Sequence, residues 1–578
     1  MTLNLKNNHS FFLLLLVVIG FFLRFNGLDK FGLAGDEKYS LFVSQFTSYQ
    51  GNNQKDSVRN PDSKYFTTKE FWSKKKLSDF YDAIARVDTG NGAFFTYILH
   101  WWTLLFGVSD SSLRMLPLLF SLGIIPLIYT FVKTHFDDKG LALVAATLAT
   151  FSPMLISYAQ VARNYAVLFF FALLSTHFFL KYLREATKSR DWWLCLIVYG
   201  ISAAICEMNH LSTITLFVIH FLYLFLYRGS KSTFIGFFIA MLIPTVTVLA
   251  WILCPGGKYI FEYVANSVRV YNEMAESSPY EYLSKTTFTN VALQIRHVIS
   301  AMFINIDGFY QEITGKKIGL AASAMFLAAV AVYNLKIKPQ FKHIAATTLF
   351  ILSLLLTQFQ EPFLPIFILN LGISVIAFRY AWRETKGSRR KPFLFISSLS
   401  ILPILFLVLY ALQDGNTFRV MVRYAGFAYS FCLIFVALLY KNSLKQNLTW
   451  KAWIYIAIIG QAIQIGFLIK SIYQDTQPRY FSNYAEPRKA NPYPVIAEKI
   501  VSMAAEGDTI VYPSDEILYD DREPIMSVID AQMTNFYLPK ELEIPQRVDP
   551  YEPDKVFLVK ANNERIELFD FEGTKYRY

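Results

Sequence analysis

Two carboxylates stand side by side in Gly35-Asp36-Glu37-Lys38-Tyr39-Ser40, a few residues beyond the first apolar run of this 578-residue chain. At a membrane surface such a pair suits group transfer. One carboxylate takes the proton of an attacking hydroxyl, and the other orients a partner or a cation. A solvated loop would carry the same residues without chemistry. Asp88, in Val87-Asp88-Thr89-Gly90-Asn91-Gly92, is a third candidate acid, with a helix cap and turn as the competing reading. Four arginines sit at the ends of apolar runs: Arg114 in Ser112-Leu113-Arg114-Met115, Arg163 in Gln160-Val161-Ala162-Arg163-Asn164-Tyr165, and Arg419 and Arg423 in Thr417-Phe418-Arg419-Val420-Met421-Val422-Arg423-Tyr424. Guanidinium groups hold phosphate bidentately. Snorkelling to lipid headgroups is the alternative. His210, with Glu207, flanks a tight turn between two runs, where ionisable groups are costly and often functional. Tyr39, Tyr158, Tyr165 and Tyr424 accompany these charges and complete a candidate substrate pocket.

The elements that must position these groups are membrane spans. Hydrophobic residues make up 54% of the chain and fall into separate runs of the length needed to cross ~30 Å of hydrocarbon. Thirteen runs are read as spans: 11–28, 112–132, 141–158, 165–182, 192–208, 210–227, 234–254, 318–336, 343–358, 362–382, 392–412, 424–440 and 452–472. The first has no small-residue cleavage site after it and is read as a retained span. Six basic loops, such as Lys133 to Lys139 and Arg379 to Lys391, are assigned to the cytoplasm by the positive-inside rule. The carboxylates, the four arginines and His210 then share the opposite face. This alternation closes only if Phe94 to Phe106, with Trp101 and Trp102, lies at the interface rather than crossing.

The domain reading is a transmembrane unit over 1–473 and a polar C-terminal unit over 474–578. Two outer loops interrupt the first unit, at 29–112 and 256–317. In the C-terminal unit Val495 to Ala505 has helical spacing, Asp508 to Tyr512 and Val556 to Val559 read as strands, and Gly507-Asp508 is a turn. The expected fold class is an all-α polytopic membrane protein with a small C-terminal α/β domain. The net charge of +11 resides in short loops, which argues against nucleic acid as a partner. The cysteines, Cys195, Cys206, Cys254 and Cys432, lie in apolar runs without metal spacing, and His135, His177 and His220 are read as structural. Asp36, Glu37 and Asp88 could gather a divalent cation. No other cofactor is indicated, and the metal is left open. No glycine-rich nucleotide loop is found.

These residues together resemble the GT-C glycosyltransferases, in particular the bacterial family 39 type related to protein O-mannosyltransferases and to the aminoarabinose transferase of lipid A. That family's Asp-Glu-Ala-Tyr-Ser-Leu corresponds to Asp36-Glu37-Lys38-Tyr39-Ser40-Leu41. Its interfacial helix ending Leu-Phe-Gly corresponds to Leu105-Phe106-Gly107, and its Leu-Arg-Leu-Pro-Ser to Leu113-Arg114-Met115-Leu116-Pro117. Its Ser-Pro and Tyr-Ser-Gln-Glu-Ala-Arg-x-Tyr-Ala-Leu correspond to Ser152-Pro153 and to Tyr158-Ala159-Gln160-Val161-Ala162-Arg163-Asn164-Tyr165-Ala166-Val167, and a late Arg-Tyr to Arg423-Tyr424. The His-Pro-Pro stretch is absent, with Asn91 in its neighbourhood, and Val161 replaces the family's Glu.

The resemblance implies a GT-C fold and inverting transfer of a sugar from a polyprenyl-phosphate donor to an extracytoplasmic acceptor, which is a protein hydroxyl, a lipid or a glycan. Asp36 would be the base or acceptor-positioning group with Glu37 beside it, and the arginines would hold the departing phosphate. The implied location is a bacterial inner membrane, with a cytoplasmic N-terminus and a periplasmic C-terminal domain. Three other readings compete: a ligase for lipid-linked oligosaccharides, a transporter or flippase, and a non-catalytic scaffold. Transport would call for charges at mid-membrane depth and internal repeats, whereas the charges here gather at span ends.

Overall fold

The structure is a computed structural model. It describes residues 9–47, 67–73, 75–87, 91–227, 229–277, 283–304, 316–335, 338–357, 378–379, 381–383, 390–444, 448–476, 480, 488–513, 516–518, 524–526, 528–549 and 551–572. Among these, seven helices are long and apolar enough to cross a membrane: Asp110–Phe136, Tyr165–Tyr182, Arg190–Asn209, Lys231–Leu253, Arg390–Asp414, Val422–Asn442 and Lys451–Gln474. A bent pair, Lys139–Thr150 and Pro153–Ala159, raises the number to eight. His9–Phe25 and Leu211–Leu226 are shorter apolar helices, and Lys316–Asn334 and Pro339–Thr357 occupy two further expected runs. Most of the expected run 362–382 lies outside the described residues, and the thirteen spans are not all seen. The chain is a multi-pass, mostly helical membrane protein with a small C-terminal sheet.

In chain order, α1 is His9–Phe25, α2 Gly35–Ser44, α3 Thr68–Ser73, α4 Leu77–Val87, α5 Ala93–Phe106, α6 Asp110–Phe136, α7 Lys139–Thr150, α8 Pro153–Ala159, α9 Tyr165–Tyr182, α10 Arg190–Asn209, α11 Ile214–Tyr227, α12 Lys231–Leu253 and α13 Ile260–Ser277. The aromatic run expected at the interface is α5, fourteen residues long. Helices α6, α7, α9 and α10 surround one apolar core with Arg390–Asp414 and Tyr429–Ser443. Gly200 of α10 would put a Cβ 2.6 Å from the carbonyl of Ala240, and Gly236 of α12 would put one 2.7 Å from Trp192. Small residues here let two helices approach closely, as packing within lipid requires. On the outer side of α12, Leu242, Val246, Leu249 and Leu253 are exposed. Lipid accepts such a face, whereas water would not. The buried histidines join helices: Tyr199 and Thr176 engage the two ring nitrogens of His220 at 3.0 and 3.1 Å, and His135 meets His177 at 3.1 Å.

The run 141–158, expected as one span, is broken by 53° between α7 and α8. Pro153 lacks an N–H and clashes with the preceding turn. Ser152 caps the new helix by accepting from the Leu155 N–H at 3.2 Å. The break frees carbonyls at the end of α7, and Arg24 covers them. Its guanidinium donates to the carbonyls of Ala149 and Thr150, to Gly20 and to the Ser121 hydroxyl. A buried cation without a carboxylate partner is thus held by the negative end of a helix. The bend brings Arg163, four residues past α8, to the start of α9.

In the C-terminal unit, β1 is Thr509–Pro513, β2 Glu516–Leu518, β3 Pro524–Met526, β4 Gln546–Asp549, β5 Lys555–Val559 and β6 Arg565–Asp570. The main sheet runs β4-β1-β5-β6, with β1 parallel to β4 and antiparallel to β5, and β2-β3 form a separate hairpin. Helix Tyr493–Met503 and β1 fall where hydrophobic spacing places them, and Gly507 takes φ +88° in the turn between them. The helix buries Tyr493, Ile496, Ala497 and Ile500, a single stripe. That stripe shares a core with Leu41, Phe42, Phe71, Phe95 and Leu99 of the first loop. Phe42 meets Phe536 edge to face at 5.3 Å, and Thr68 donates to Asn535 at 2.7 Å. The C-terminal unit therefore folds onto the first loop.

Replacing Arg24 by Met should leave the Ala149 and Thr150 carbonyls unpaired and destabilise the protein by about 3 kcal/mol. The midpoint for loss of monodisperse protein on heating in detergent should fall by several degrees. An unchanged midpoint would show that Arg24 does not support the break.

Candidate active site

The site is organised around Glu37. Its carboxylate is fully buried and accepts from Arg114 through both oxygens, Nε to Oε1 at 2.8 Å and Nη2 to Oε2 at 2.9 Å. It also accepts from the Ala162 N–H at 2.8 Å, the Ala34 N–H at 2.8 Å and Arg488 at 3.2 Å. Arg114 spends its remaining donors on the carbonyls of Leu28, Phe31 and Gly32. Burial pushes the Glu37 carboxyl up, but Arg114, Arg488 and the Ala162 N–H outweigh it and hold the group down at about 2. One residue before Glu37 is Asp36, and one residue after Ala162 is Arg163. The buried carboxylate thus fixes the distance between two candidate functional groups.

Asp36, Tyr39, Asn91, Arg163, Tyr165, His210, Arg419, Arg423 and Tyr424 all line one cavity of about 580 Å³, together with Asn164, Ser212, Tyr271, Tyr410 and Phe418. The Asp36 side chain is 43% exposed, and its Oδ2 lies 3.5 Å from Arg423 Nη1. Arg163 donates to the Asp36 carbonyl at 3.2 Å and to the Ser40 hydroxyl at 3.3 Å. Arg419 pairs with Asp414 at 3.2 Å. The Nε of Arg423 is buried and has no hydrogen-bond partner among the described residues. Buried N–H donors call for an acceptor, which an anion in the cavity would provide.

His210 is in a defined tautomer. Its Nδ1 accepts from the Ser212 N–H at 3.3 Å and from the Ser212 hydroxyl at 2.7 Å, and the same hydroxyl oxygen lies 3.3 Å from the Tyr424 carbonyl. Burial lowers the imidazole to about 4, and Arg423, Arg163 and Arg419 press in the same direction. A neutral ring with Nδ1 as acceptor carries its proton on Nε2. His210 therefore brings a donor to the cavity without adding a charge. A roof closes over these groups: Tyr271 of α13 stacks on Phe418 at 3.7 Å, and Asn272 holds the Asp414 carbonyl at 2.9 Å.

Three of the expected site residues stand elsewhere. Arg114 was expected to hold phosphate, but its guanidinium is buried among Glu37 and three carbonyls and is absent from the cavity lining. Glu37 was expected beside Asp36 as a catalytic group, but its oxygens are fully engaged and shielded. The cause is geometric. Adjacent residues on a helix point about 100° apart, so Asp36 meets the cavity and Glu37 meets the bundle. Tyr158 lies behind the lining, with its ring 5.1 Å from Tyr165 and its hydroxyl donating to the Tyr480 carbonyl at 3.1 Å. Asp88 lies outside the described residues. Among the described residues no three His, Cys, Asp or Glu side chains come together as a metal site. Of the groups first considered for a cation, Glu37 is committed to Arg114.

The sequence reading missed the cavity's aromatic roof and Arg488. Tyrosine enrichment in the second outer loop was a usable signal for Tyr271. Nothing local marked Arg488, whose partners Glu37 and Asp475 are distant or unremarkable in the sequence.

The fold and the cavity define a polytopic membrane protein with an anion-ready pocket at one end of its helices. Residues 91–253 match the family model described as dolichyl-phosphate-mannose-protein mannosyltransferase. The chain is 34% identical over 96 residues to protein O-mannosyl-transferase 1 of Mus musculus, a stretch covering 16% of this chain and 13% of that protein. Among solved structures, it resembles the oligosaccharyltransferase AglB of Archaeoglobus fulgidus, in complex with an inhibitory peptide and a dolichol-phosphate. The identity is 12% and the TM-score 0.46, over 96% of this chain and 66% of that one. It also resembles ArnT of Cupriavidus metallidurans bound to undecaprenyl phosphate, at 13% identity and a TM-score of 0.32, over 75% and 77% of the two chains. The segment that carries Arg114, Arg163 and His210 is thus the part of the chain that the family model matches.

Glu37→Gln should cost about 3–5 kcal/mol at neutral pH, because it weakens the hold on a buried guanidinium. The Glu37 carboxyl lies below its ordinary value of 4.5 when folded. Its stabilisation is therefore complete above that value and is lost as pH falls toward about 2. Thermal midpoints of wild type and variant should differ most near pH 7 and converge between about pH 4.5 and 2. A constant difference across that window would exclude the ionised pair.

Proposed function

We propose that this chain is an inverting glycosyltransferase. It moves a sugar from a polyprenyl-phosphate donor to an acceptor hydroxyl at the extracytoplasmic face. The observation that carries the reading is the convergence of Asp36, Arg163, Arg419 and Arg423 on one cavity, with Asp36, the only carboxylate of its lining among the described residues, beside Arg423. In the reaction the acceptor oxygen attacks the anomeric carbon and its proton passes to the Asp36 carboxylate. The bond from that carbon to the phosphate oxygen breaks, and its electron pair leaves with the polyprenyl phosphate. The leaving group gains negative charge, so preorganised guanidinium donors stabilise the transition state more than the ground state.

Charge counting favours a monophosphate donor. Three guanidiniums are balanced by Asp36 in the lining and by Asp414 behind Arg419. One net positive charge remains, which matches the single charge of a sugar phosphodiester. A pyrophosphate donor, as a ligase for lipid-linked oligosaccharides would use, brings more charge than this balance meets. The match of residues 91–253 to a family described by its dolichyl-phosphate-mannose donor supports the same choice. The sugar is a hexose or a pentose. By the basic-loop assignment, the cavity and the C-terminal unit face away from the cytoplasm, which the family resemblance makes the periplasm of a bacterial inner membrane.

The test is transfer by purified protein in detergent, supplied with radiolabelled polyprenyl-phosphate sugars. Asp36→Asn should lower kcat by about 10²–10⁴-fold. Arg163→Ala should lower kcat/KM by about 10²-fold or more through the donor. Full activity in Asp36→Asn would remove it from the mechanism. No turnover with any donor, together with specific uptake in liposomes, would replace the transferase by a transporter.

A further inference from the structure

The helix that carries Asp36 is held from behind by the C-terminal unit. In α2, Glu37 and Lys38 follow Asp36 directly, and both are buried. Arg488 reaches Glu37 Oε2 at 3.2 Å while its Nε and Nη2 bind Asp475 at 3.1 and 2.9 Å. The next residue, Lys489, accepts the Gly32 N–H through its carbonyl at 2.7 Å. Burial works against the charge of Lys38, and the field of Asp530 of the C-terminal unit, of Asp110 at the start of α6 and of Glu37 works for it. Those acids are fixed in turn: Tyr493 donates to Asp530 at 2.7 Å, and Asn491 donates to Asp110 at 2.9 Å. Seven charged groups, Glu37, Lys38, Asp110, Arg114, Asp475, Arg488 and Asp530, thus tie α2 to the first long span and to the C-terminal unit.

No residue after Tyr424 lines the cavity among the described residues. Among the described residues the C-terminal unit thus meets the cavity at second hand, through α2 and through Tyr158, which donates to the Tyr480 carbonyl. Its ion pair with α2, Arg488 with Glu37, falls on the residue next to Asp36. Such networks cost desolvation and return little net stability, but they fix one geometry. In catalysis a misplacement of about 1 Å costs up to ~10²-fold.

We propose that Arg488 is a positioning residue for Asp36, acting through Glu37, with Asp530 supporting it through the field at Lys38, so that the C-terminal unit helps to set the reactive geometry. The inference rests on the reading of Asp36 as the base. The arginines that hold the donor belong to other segments, at the start of α9 and between Asp414 and Tyr424. Arg163 and Arg423 also touch α2 at Asp36 and Ser40, so loosening α2 should slow the chemical step by more than it weakens donor binding.

The test compares full-length Arg488→Met, Arg488→Lys and Asp530→Asn in detergent, each taken as its monodisperse fraction. Asn at 530 keeps an acceptor for Tyr493 and loses only the charge. Turnover of a polyprenyl-phosphate sugar gives kcat and donor KM, and binding of polyprenyl phosphate gives Kd. Arg488→Met should lower kcat by about 10-fold or more while KM and Kd stay within about two-fold. Arg488→Lys should restore part of the rate, and Asp530→Asn should show a smaller loss of the same kind. Wild-type kcat in both Arg488→Met and Asp530→Asn would overturn the proposal. So would a kcat loss accompanied by an equal loss of donor affinity, which would mark a general collapse of the cavity. If Arg488→Met gives no monodisperse protein, Asp530→Asn decides by the same criteria. An inactive Asp36→Asn beside fully active Arg488→Met and Asp530→Asn would remove only the positioning role. An active Asp36→Asn would remove the base itself.

Discussion

The bidentate contact between Glu37 and Arg114 is the constraint on which the site depends. It crosses from α2 to α6, and Glu37 also takes the Ala162 N–H ahead of α9 and Arg488 from the C-terminal unit. Four separate parts of the chain therefore meet at one carboxylate. Burying that charge is expensive, and the arginine alone would not offset it. The additional N–H donors complete the shell, which explains why the group stays ionised at full burial. Removing any single donor would leave the others bound to a charge with less compensation, so the junction is cooperative.

Two adjacent carboxylates acquire opposite roles from this arrangement. Glu37 gives up its reactivity to a saturated set of donors. Asp36, one residue earlier, keeps an exposed side chain facing Arg423. The same division separates the arginines. Arg114 and Arg24 are consumed by carbonyls and a carboxylate inside the bundle, where they close helix ends and loops. Arg163 and Arg423 remain on the cavity wall. Position beside a span end does not tell these cases apart. The direction of each side chain does, and it is set by the rotation of the helix that carries it.

That distinction marks where the sequence stops being legible. Apolar runs, basic loops and Gly507-Asp508 announce helices and turns through local chemistry, and most of the helical fold follows from them. The break at Ser152-Pro153 was written there too, but a hydropathy run averages over it. Of the site, the residues that line the cavity were legible as a set because charged groups at span ends are rare. The sorting of Glu37 from Asp36, and of Arg114 from Arg163, was not, because it depends on contacts between segments up to 125 residues apart. Arg488 was further still from view, since its meaning comes only from a partner 451 residues away.

The cavity itself belongs to no single part of the chain. Asp36, Asn91, Arg163 and His210 come from the first 210 residues, while Arg419, Arg423 and Tyr424 come from a segment two hundred residues later. Two kinds of tie close this distance. The His210 ring meets the Tyr424 ring edge to face at 5.4 Å, and Tyr271 with Asn272 pins the roof to Phe418 and Asp414. Neither tie uses a charge of its own, so neither competes for the anion that the guanidiniums are placed to meet. The neutral state of His210 follows the same logic. Burial, joined by three nearby cations, keeps it from becoming a fourth, and the pocket retains a small positive balance. For the transfer proposed above, a site richer in positive charge would bind the departing phosphate more tightly, and product release would then oppose turnover.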